Sequence, residues 1–397
     1  MRTLIRNVRV FDGVLTVPRT EVLIEDDRLA AYDGGRADLE IDGAGATLLP
    51  GLIDAHTHTF DGDLAQALRF GVTTELDMFC LPGNLARQRR LAAERDDVAD
   101  LRSSGILATA PGGHPSQIME ATSGQDLGDA VGAFDTVADA GQAKAFVEAR
   151  LAEGADYLKI VIDSGHVAGL DLPVLAPDVV AALVEAGHAA GLMAIAHAVT
   201  TEDAVVALDA GVDGLAHLVT DPLPEEVAAR IAAQDVFVVS TLTYFEAVTG
   251  DPSGAELVRD ERIGSLLPAQ ARAALDRDPS VVPVHPDGVR NAVRAAAALH
   301  RAGVALLAGT DANPWAPLHG ASMHREVLLL TEAGLSPAEA LAAATSVPAR
   351  RFGLADRGRI APGFRADLLL VEGDPTTDIT ATRAIREVWR RGVRQAR

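Results

Sequence analysis

Two histidines separated by one residue stand at the end of the first long apolar run of this 397-residue chain. They are His56 and His58 in GLIDAHTHTF, and alternate residues of a strand point to the same face. Asp54 shares that face. A His-x-His pair by itself is a weak sign of a metal site, because it often arises by chance. Its place after an apolar strand, with a carboxylate beside it, favours metal binding over a structural role.

Three more residues of metal-binding type lie at the ends of later apolar runs. His197 ends LMAIAH, His217 lies in GLAHLV, and Asp311 ends VALLAGTD. A single histidine at such a place is more often a hydrogen-bonded core residue than a ligand, but two successive strands ending in histidine are harder to explain by packing. A buried aspartate needs a partner, because an isolated carboxylate loses its hydration at a large cost in free energy. A metal ion, or water bound to it, would provide that partner.

Lys159 lies within the otherwise apolar run YLKIVI. If its neighbours Leu158 and Ile160 face helices, Lys159 points to the interior, where a bare ammonium group is strongly disfavoured. One interpretation is an internal salt bridge with an acid such as Asp54 or Asp163. The other is a carbamate formed with carbon dioxide, an anionic group whose two oxygens could bridge two metal ions. Burial favours this chemistry because it lowers the pKa of the amine.

Apolar runs of four to eight residues alternate with helical stretches between residues 48 and 356, a pattern typical of βα units. The helix in TTEDAVVALDAG, for example, has Thr200 or Thr201 as its expected N-cap and Gly211 as its end. The strand candidates are LLPGLIDAH, VTTELD, SGILATA, YLKIVI, LMAIAH, GLAHLV, VFVVS and VALLAGTD. Eight parallel strands predict an α/β fold with a (β/α)8 TIM-like barrel, although similar units also build a doubly wound sheet. Both architectures place chemistry at the carboxyl ends of the strands.

Short strands with Gly- or Pro-containing turns mark both ends of the chain, as in TLIRNVRVFDG and FRADLLLVEGDP. Neither end has enough strand to bury a face alone, so we predict one small β-sandwich domain built from both termini. The expected division assigns residues 1–47 plus 357–397 to this domain and residues 48–356 to the barrel. Residues 245–295, rich in Asp, Pro and Arg, are expected to form helices and a loop over the barrel mouth.

Composition disfavours several classes of function. Asp and Glu number 56 against 35 Lys and Arg, a formal net charge of −21, whereas nucleic acid and anionic membrane surfaces require clustered positive charge. The single Cys80 excludes an intrachain disulfide and a cysteine-rich zinc site, as is typical of a reducing compartment. No uncharged apolar run is long enough to cross a membrane. We therefore expect a cytoplasmic protein that acts on a small molecule.

Together these motifs resemble the amidohydrolase superfamily of metal-dependent hydrolases over essentially the whole chain. The resemblance rests on LLPGLIDAHTH, GVTTELD, ADYLKI, AIAHA, GLAHL, GTDA and PGFRADLLLV. Within the superfamily, ADYLKI with an upstream GGH and a downstream TLTY is similar to the branch of prolidase-like and Xaa-Arg/Lys carboxypeptidase-like enzymes and ochratoxinase. Imidazolonepropionase is a neighbouring branch.

The resemblance implies a ligand set for two metal ions. The more buried ion would be bound by His56, His58 and Asp311, the more exposed ion by His197 and His217, and Lys159 as a carbamate would bridge them. Nitrogen and oxygen ligands suit Zn²⁺, which we favour, and also Mn²⁺, Fe²⁺ or Co²⁺. Metal-activated water would attack the substrate carbonyl, and Asp311 would accept its proton and deliver it to the leaving amine.

Two further residues match substrate-binding positions of that branch. His114 in APGGHP would contact the substrate carbonyl, and Tyr244 in STLTYF would contact the substrate. A loop histidine and a core or lid tyrosine are the ordinary alternatives. The branch often carries SGG after the lysine strand, whereas this chain has DSGHVAG. His166 is therefore a departure that either alters the pocket or faces solvent.

The sequence motifs allow several functions. The leading one is hydrolysis of an N-acyl amino acid, a dipeptide or a cyclic amide. The alternatives are a mononuclear deaminase or imidazolonepropionase-like enzyme, a carbamate or ester hydrolase, and a non-catalytic scaffold, which the complete ligand set argues against. Candidate pocket walls in the βα loops are Met78, Phe79, His114, Tyr244, Trp315 and His319. No Arg or Lys stands out there as a carboxylate clamp, which weakens the dipeptidase interpretation. A homo-oligomer is an expectation from the family resemblance alone.

Overall fold

Parallel strands alternate with helices through most of the chain, and a further sheet uses both termini. The computed structural model describes residues 1–125, 127–249, 254–276 and 287–396. The strands are β1 (Arg2–Phe11), β2 (Thr16–Glu25), β3 (Arg28–Ala30), β4 (Leu39–Asp42), β5 (Ala46–Pro50), β6 (Leu52–Thr57), β7 (Val72–Asp77), β8 (Asp100–Ser103), β9 (Leu158–Val161), β10 (Ala194–His197), β11 (Gly214–Leu215), β12 (Phe237–Val239), β13 (Leu306–Leu307), β14 (Leu368–Glu372), β15 (Ile385–Arg390) and β16 (Val393–Arg394).

The helices occupy most of the connections between these strands. They are α1 (Asp63–Arg69), α2 (Pro82–Glu94), α3 (Ser116–Thr122), α4 (Ala143–Glu153), α5 (Pro177–Ala189), α6 (Thr201–Ala210), α7 (Glu225–Ala233), α8 (Leu242–Thr249), α9 (Gly254–Arg259), α10 (Glu261–Gly264), α11 (Ala269–Leu275), α12 (Gly288–Arg301), α13 (Met323–Glu332), α14 (Pro337–Ala343) and α15 (Ser346–Arg351). None of the described helices is both long and apolar enough to cross a membrane.

Parallel strands form two sheets, in the orders β6-β7-β8 and β13-β12-β11-β10-β9. Isolated parallel bridges join the two sheets at both edges, one between Ala108 and Ile160 and one between Thr57 and Ala312. Strands β6 and β7 are buried along their whole length, as expected when helices cover one face and the interior covers the other. The predicted α/β class is confirmed. In the described residues the strands form two bridged sheets, whereas we predicted one closed sheet.

The third parallel strand lies earlier than its sequence pattern indicates. The pattern predicts a strand in SGILATA, residues 104–110, whereas β8 covers Asp100–Ser103. Gly105 interrupts the extended chain because its φ of 62° lies in the left-handed region. Beyond it the backbone pairs with β9 only at the bridge of Ala108. The predicted strand position is therefore wrong by a few residues.

Helix α6 sets the spacing between two site strands, β10 and β11. Thr200 is its N-cap, because its hydroxyl oxygen accepts the backbone N–H of Asp203. Gly211 ends the helix with a φ of 83°, a conformation that glycine adopts without strain. The predicted ends of this helix are confirmed, and Thr200 is the cap of the two candidates.

Strands from both termini form one mixed sheet, in the order β16-β15-β14-β5-β1-β2-β3 with β4 paired to β1. Its own apolar core includes Ile5, Val8 and Trp389, all fully buried. A bridge between Arg28 and Arg365 joins the β3 edge to the segment before β14, so the sheet curls around this core. The strands belong to a single sheet, whereas a sandwich has two.

Where it is described, the segment 245–295 consists mainly of helices, from the end of α8 to the first part of α12. Val248 of α8 lines a cavity that His58, His197 and Asp311 also line. Helices α9 to α11 pack instead against Phe70, Leu318 and Ala321, which do not line that cavity. None of the described residues 254–276 lines that cavity. Residues 250–253 and 277–286, where a loop over the mouth was expected, lie outside the described residues.

Buried arginines attach the terminal sheet to the parallel strands. Asp100 at the start of β8 accepts hydrogen bonds from Arg357 and, at 2.9 Å, from Arg365, and Arg390 lies 3.7 Å away. All three guanidinium groups are buried. Burial raises the pKa of the Asp100 carboxyl, but the three arginines lower it by more, so it lies well below its usual range. This carboxylate therefore offsets positive charge that water does not reach.

Replacing Asp100 by Asn would leave those guanidinium groups short of one carboxylate. We expect the free energy of unfolding, measured by urea denaturation at neutral pH, to fall by about 3–5 kcal/mol. The matched control is Asp97→Asn, which removes an exposed ion pair with Arg95 and should change stability by about 0–1 kcal/mol.

The difference in free energy of unfolding between the wild-type chain and Asp100→Asn depends on pH, because the pKa of Asp100 is depressed in the folded state. Its stabilisation is fully present above the unfolded pKa of about 3.9 and is lost as the pH falls toward the lower folded value. The gap between the wild-type chain and Asp100→Asn should therefore shrink in acid. A gap that is independent of pH, or as small as that of Asp97→Asn, would contradict this account.

Candidate metal centre and substrate cavity

His56, His58 and Asp311 come together where β6 ends and the chain leaves β13. Their ligand atoms all lie within 4.8 Å of one another. Asp311 Oδ1 is 3.0 Å from His58 Nε2 and 3.5 Å from His56 Nε2. Burial raises the pKa of the Asp311 carboxyl, but the two histidines lower it by more, so it stays well below its usual range. An ionised carboxylate beside two imidazoles is a donor set that can hold a divalent metal ion.

Backbone contacts around β6 fix the position of Asp311. Its N–H donates to the carbonyl of His56 at 2.8 Å. Its φ of 57° lies in the left-handed region, which is strained for a residue other than glycine. The Asp54 carboxylate stabilises this turn, because it accepts the Thr310 N–H at 2.9 Å and the Thr310 hydroxyl at 2.6 Å. Strain of this kind, held in place by its surroundings, is typical of functional sites.

His197 and His217 lie directly beside that group. His197 ends β10, His217 follows β11, and His197 Nδ1 is 2.9 Å from His217 Nε2. The ring centroids of His217 and His56 are 4.6 Å apart, so the histidines form one continuous cluster. Burial, together with His197, holds the pKa of His217 well below its usual range. A neutral imidazole is the form that binds metal ions.

Each buried histidine of the cluster uses one ring nitrogen for a protein partner. The pairs are His56 Nδ1 with the Ala216 carbonyl at 3.0 Å, His217 Nδ1 with Thr241 Oγ1 at 2.9 Å, and His197 Nε2 with Asp163 Oδ2 at 3.3 Å. The second nitrogen of each ring faces the cluster. Metal-binding histidines typically carry such a partner, which fixes the tautomer and the ring orientation.

Lys159, on β9, lines the same cavity as Asp311. Its side chain is buried, whereas its neighbours Leu158 and Ile160 pack in the apolar core, as predicted. Burial lowers the pKa of its amine to about 7, although the negative charges of Asp311 and Asp77 act to raise it. A substantial fraction of the amine is therefore neutral at neutral pH.

The salt-bridge interpretation of Lys159 is wrong. Within the described part of the chain, no carboxylate forms an ion pair with Lys159. Asp54 is bound to Thr310, and Asp163 is bound to His197. The buried amine therefore keeps a free face toward the cavity.

His114 and Tyr244 line the same cavity. The ring centroid of His114 is 5.0 Å from that of His197, and its Nδ1 accepts a hydrogen bond from Gln117 Nε2 at 2.8 Å, which leaves Nε2–H as a donor. Burial, together with His197, lowers the pKa of His114 to about 3. Burial also raises the pKa of the Tyr244 hydroxyl. Both side chains thus present neutral hydrogen-bond donors at neutral pH.

The cavity has a volume of about 320 Å³ and mostly apolar walls. Its apolar lining includes Phe60, Phe79, Leu107, Ile118, Met119, Val248 and Trp315. Of the predicted wall residues, Phe79, His114, Tyr244 and Trp315 line it. Met78 packs in the interior between the strands, and His319 is held between Asp63 and Glu75, so neither forms a wall. Lys159 is the one cationic side chain among the described lining residues.

Sequence reasoning missed the residues that hold the ligands in place. Thr241 contacts His217 and has a φ of 43°. Glu326 holds the turn that carries Thr241, because its carboxylate accepts hydrogen bonds from the backbone N–H groups of Leu242 at 2.9 Å and Thr243 at 2.8 Å. The polar cluster STLT after a buried strand is a local signal for a turn. Nothing local identifies Glu326, because it lies on α13, far along the chain.

A solved structure with a similar fold is that of a Xaa-Pro dipeptidase with bound methionine in the active site. It matches with a TM-score of 0.78 and 20% sequence identity, covering 100% of both chains. At that identity the likeness concerns the fold, which is the TIM-barrel-like α/β architecture expected from the sequence.

Curated relatives agree with the neighbouring branch named above. The imidazolonepropionase of Deinococcus deserti is 40% identical over 96 residues, which cover 23% of this chain and only 24% of that protein. The imidazolonepropionase of Salinispora arenicola is 26% identical over 432 aligned positions, covering 99% of this chain and 97% of that protein. The sequence profile of the Amidohydrolase family matches residues 47–394. With that match over nearly the whole chain, the protein belongs to the amidohydrolase family.

Proposed function

We propose that this protein is a metal-dependent hydrolase of amide bonds, with an N-acyl amino acid, a dipeptide or a cyclic amide as substrate. The observation that supports this most directly is the group of His56, His58 and Asp311, whose ligand atoms lie within 4.8 Å of one another at a cavity. The proposed barrel would comprise residues 48–356, and residues 1–47 and 357–397 would form a separate domain.

The proposed ligands fit two divalent ions. They are His56, His58, Lys159, His197, His217 and Asp311. The donors are imidazoles, one carboxylate and an amine that could become a carbamate, a set that suits Zn²⁺ among other divalent metals. A bound ion would lower the pKa of a water molecule to about 7 and polarise the substrate carbonyl.

Asp311 is the proposed catalytic base and acid. Its carboxylate lines the cavity and is ionised, so it can accept a proton from the attacking water and later release that proton to the leaving amine. His114 and Tyr244 line the same cavity as Asp311 and present hydrogen-bond donors. They would donate hydrogen bonds to the carbonyl oxygen as negative charge develops on it, a contribution that is usually among the largest in catalysis.

Lys159 is proposed to carry a carbamate. The neutral amine would form a nitrogen–carbon bond with carbon dioxide and release one proton to solvent, which replaces a buried neutral group by a buried anion. That anion would face the histidine cluster. The bound metal ions would then supply the opposite charge that this side chain lacks among the described residues.

A single-ion centre is the second candidate. His56, His58, His197 and Asp311 would then bind one ion, as in a deaminase or an imidazolonepropionase-like cyclic amide hydrolase. Two observations favour it: among the described residues, the group whose ligand atoms lie within 4.8 Å of one another consists of His56, His58 and Asp311, and the curated relatives named above are imidazolonepropionases.

Replacing Asp311 by Asn should abolish proton transfer while retaining an oxygen ligand. We expect kcat for an N-acyl amino acid or cyclic amide substrate to fall about a hundred- to ten-thousand-fold, with the metal content unchanged. Steady-state kinetics and elemental analysis of the same preparation measure both quantities. Wild-type kcat in this variant would contradict the assignment of the base.

Replacing Lys159 by Met removes the amine and retains an apolar stem of similar length. We expect the wild-type chain in bicarbonate to show the added mass of one carbon dioxide by native mass spectrometry and two ions per chain, and Lys159→Met to show neither. Lys159→Glu, which supplies a carboxylate directly, is the matched variant and should retain more metal than Lys159→Met. An unmodified lysine with one ion in the wild-type chain would exclude the two-ion centre and leave the single-ion candidate.

A further inference from the structure

The sequence DSGHVAG after the lysine strand is the departure from the related branch that the proposed function leaves unexplained. Its histidine, His166, is 66% exposed and pairs only loosely with the exposed Asp171, so it faces solvent. The first residue of that sequence, Asp163, is instead mostly buried. The Asp163 side chain is only 12% exposed and lies at the inner end of the loop, against His197.

The register of β9 and β10 places Asp163 beside His197. Val161 is paired with His197 across the parallel ladder, and the N–H of Ile162 donates to the His197 carbonyl at 2.9 Å. Asp163 is therefore the first residue after β9 that can turn its side chain back over the end of β10. Its Oδ2 lies 3.3 Å from His197 Nε2.

The second carboxylate oxygen of Asp163 is fixed by its own loop. Oδ1 accepts the Gly165 N–H at 2.8 Å. Gly165 has a φ of 75°, and a Cβ at this position would lie 2.9 Å from Leu170 and Leu172, so the loop requires glycine here. The Leu172 N–H closes the loop on the Ser164 carbonyl at 2.8 Å. Both oxygens of Asp163 are thus held, one by the loop and one by His197.

This contact decides which nitrogen of His197 can bind a metal ion. With Nε2–H donated to Asp163, Nδ1 carries the lone pair, and Nδ1 faces His217 Nε2 at 2.9 Å. The other buried rings of the cluster are oriented by neutral partners, a carbonyl for His56 and a hydroxyl for His217. A carboxylate partner orients the ring in the same way and also makes the opposite nitrogen a stronger electron donor.

We propose that Asp163 is a positioning residue that holds His197 with Nδ1 directed at the metal site and strengthens its binding of the ion. The inference rests on the proposed function, because it requires His197 to be a ligand. It assigns a role to a residue that the proposed function does not use, and it explains why an acid is buried there.

The test measures metal affinity and needs no substrate. The metal-free wild-type chain, Asp163→Ala and Asp163→Asn are titrated with Zn²⁺ in competition with a chromophoric chelator. We expect Asp163→Ala to weaken the ion bound by His197 about 10- to 100-fold and to leave the affinity of the ion at His56, His58 and Asp311 unchanged. Asp163→Asn keeps an oxygen acceptor without the charge, so its loss should be smaller.

The matched control is Asp171→Asn, which removes one negative charge from the same loop at a fully solvated position and should bind every ion as the wild-type chain does. Thermal unfolding of each variant shows that it is folded. Should Asp163→Ala fail to fold, Asp163→Asn, which has nearly the same shape, decides the question. Wild-type affinity for all ions in the folded Asp163 variants would overturn the proposal.

The wild-type titration separates this proposal from the proposed function. A single bound ion excludes the two-ion centre but still tests Asp163, because His197 is a ligand in the single-ion candidate as well. A wild-type chain that binds no divalent ion overturns the metal-dependent function, and the role of Asp163 with it. A loss confined to the Asp163 variants supports the proposal in either metal stoichiometry.

Discussion

The burial of polar groups at the carboxyl ends of the parallel strands is the constraint on which the rest of the structure depends. Asp311, Lys159 and His217 are removed from water, and each would be unfavourable there without a partner. Asp311 obtains partners in His56 and His58, and His217 in Thr241. Lys159 obtains none among the described residues. The orienting contacts of the site are therefore in place, and Lys159 is the buried group that lacks an ion-pair partner among the described residues.

The surrounding fold keeps these groups at fixed distances. Parallel register sets His197 beside the end of β9, and the capped helix α6 sets the spacing from His197 to His217. The turn at Asp311 stays in a strained conformation because Asp54 holds Thr310 on its inner side. Farther away, the curled terminal sheet attaches to the start of β8 through buried arginines around Asp100.

The strands and site residues that could be predicted from the sequence are those that depend on local pattern. Apolar runs and glycine stops located most strands, and the residues at their ends gave His56, His58, His197, His217 and Asp311 in one cluster. The third strand was misplaced because a single glycine, Gly105, ended it before the apolar run began. Wall residues were predicted less well: His319 is held in a buried contact with Asp63 and Glu75, a pairing between distant segments that has no local signature. Asp163 and Glu326 illustrate the same limit, because their partners are set by strand register and helix packing.

We propose that amide hydrolysis depends on a metal centre at the histidine cluster. The most direct test is a crystal structure of the protein grown with Zn²⁺, with anomalous scattering recorded at the zinc absorption edge. We predict one anomalous peak in contact with His56, His58 and Asp311 and a second in contact with His197 and His217, with density for a carbamate on Lys159 between them. Zinc bound only elsewhere on the chain, with these side chains in contact solely with one another, would contradict it.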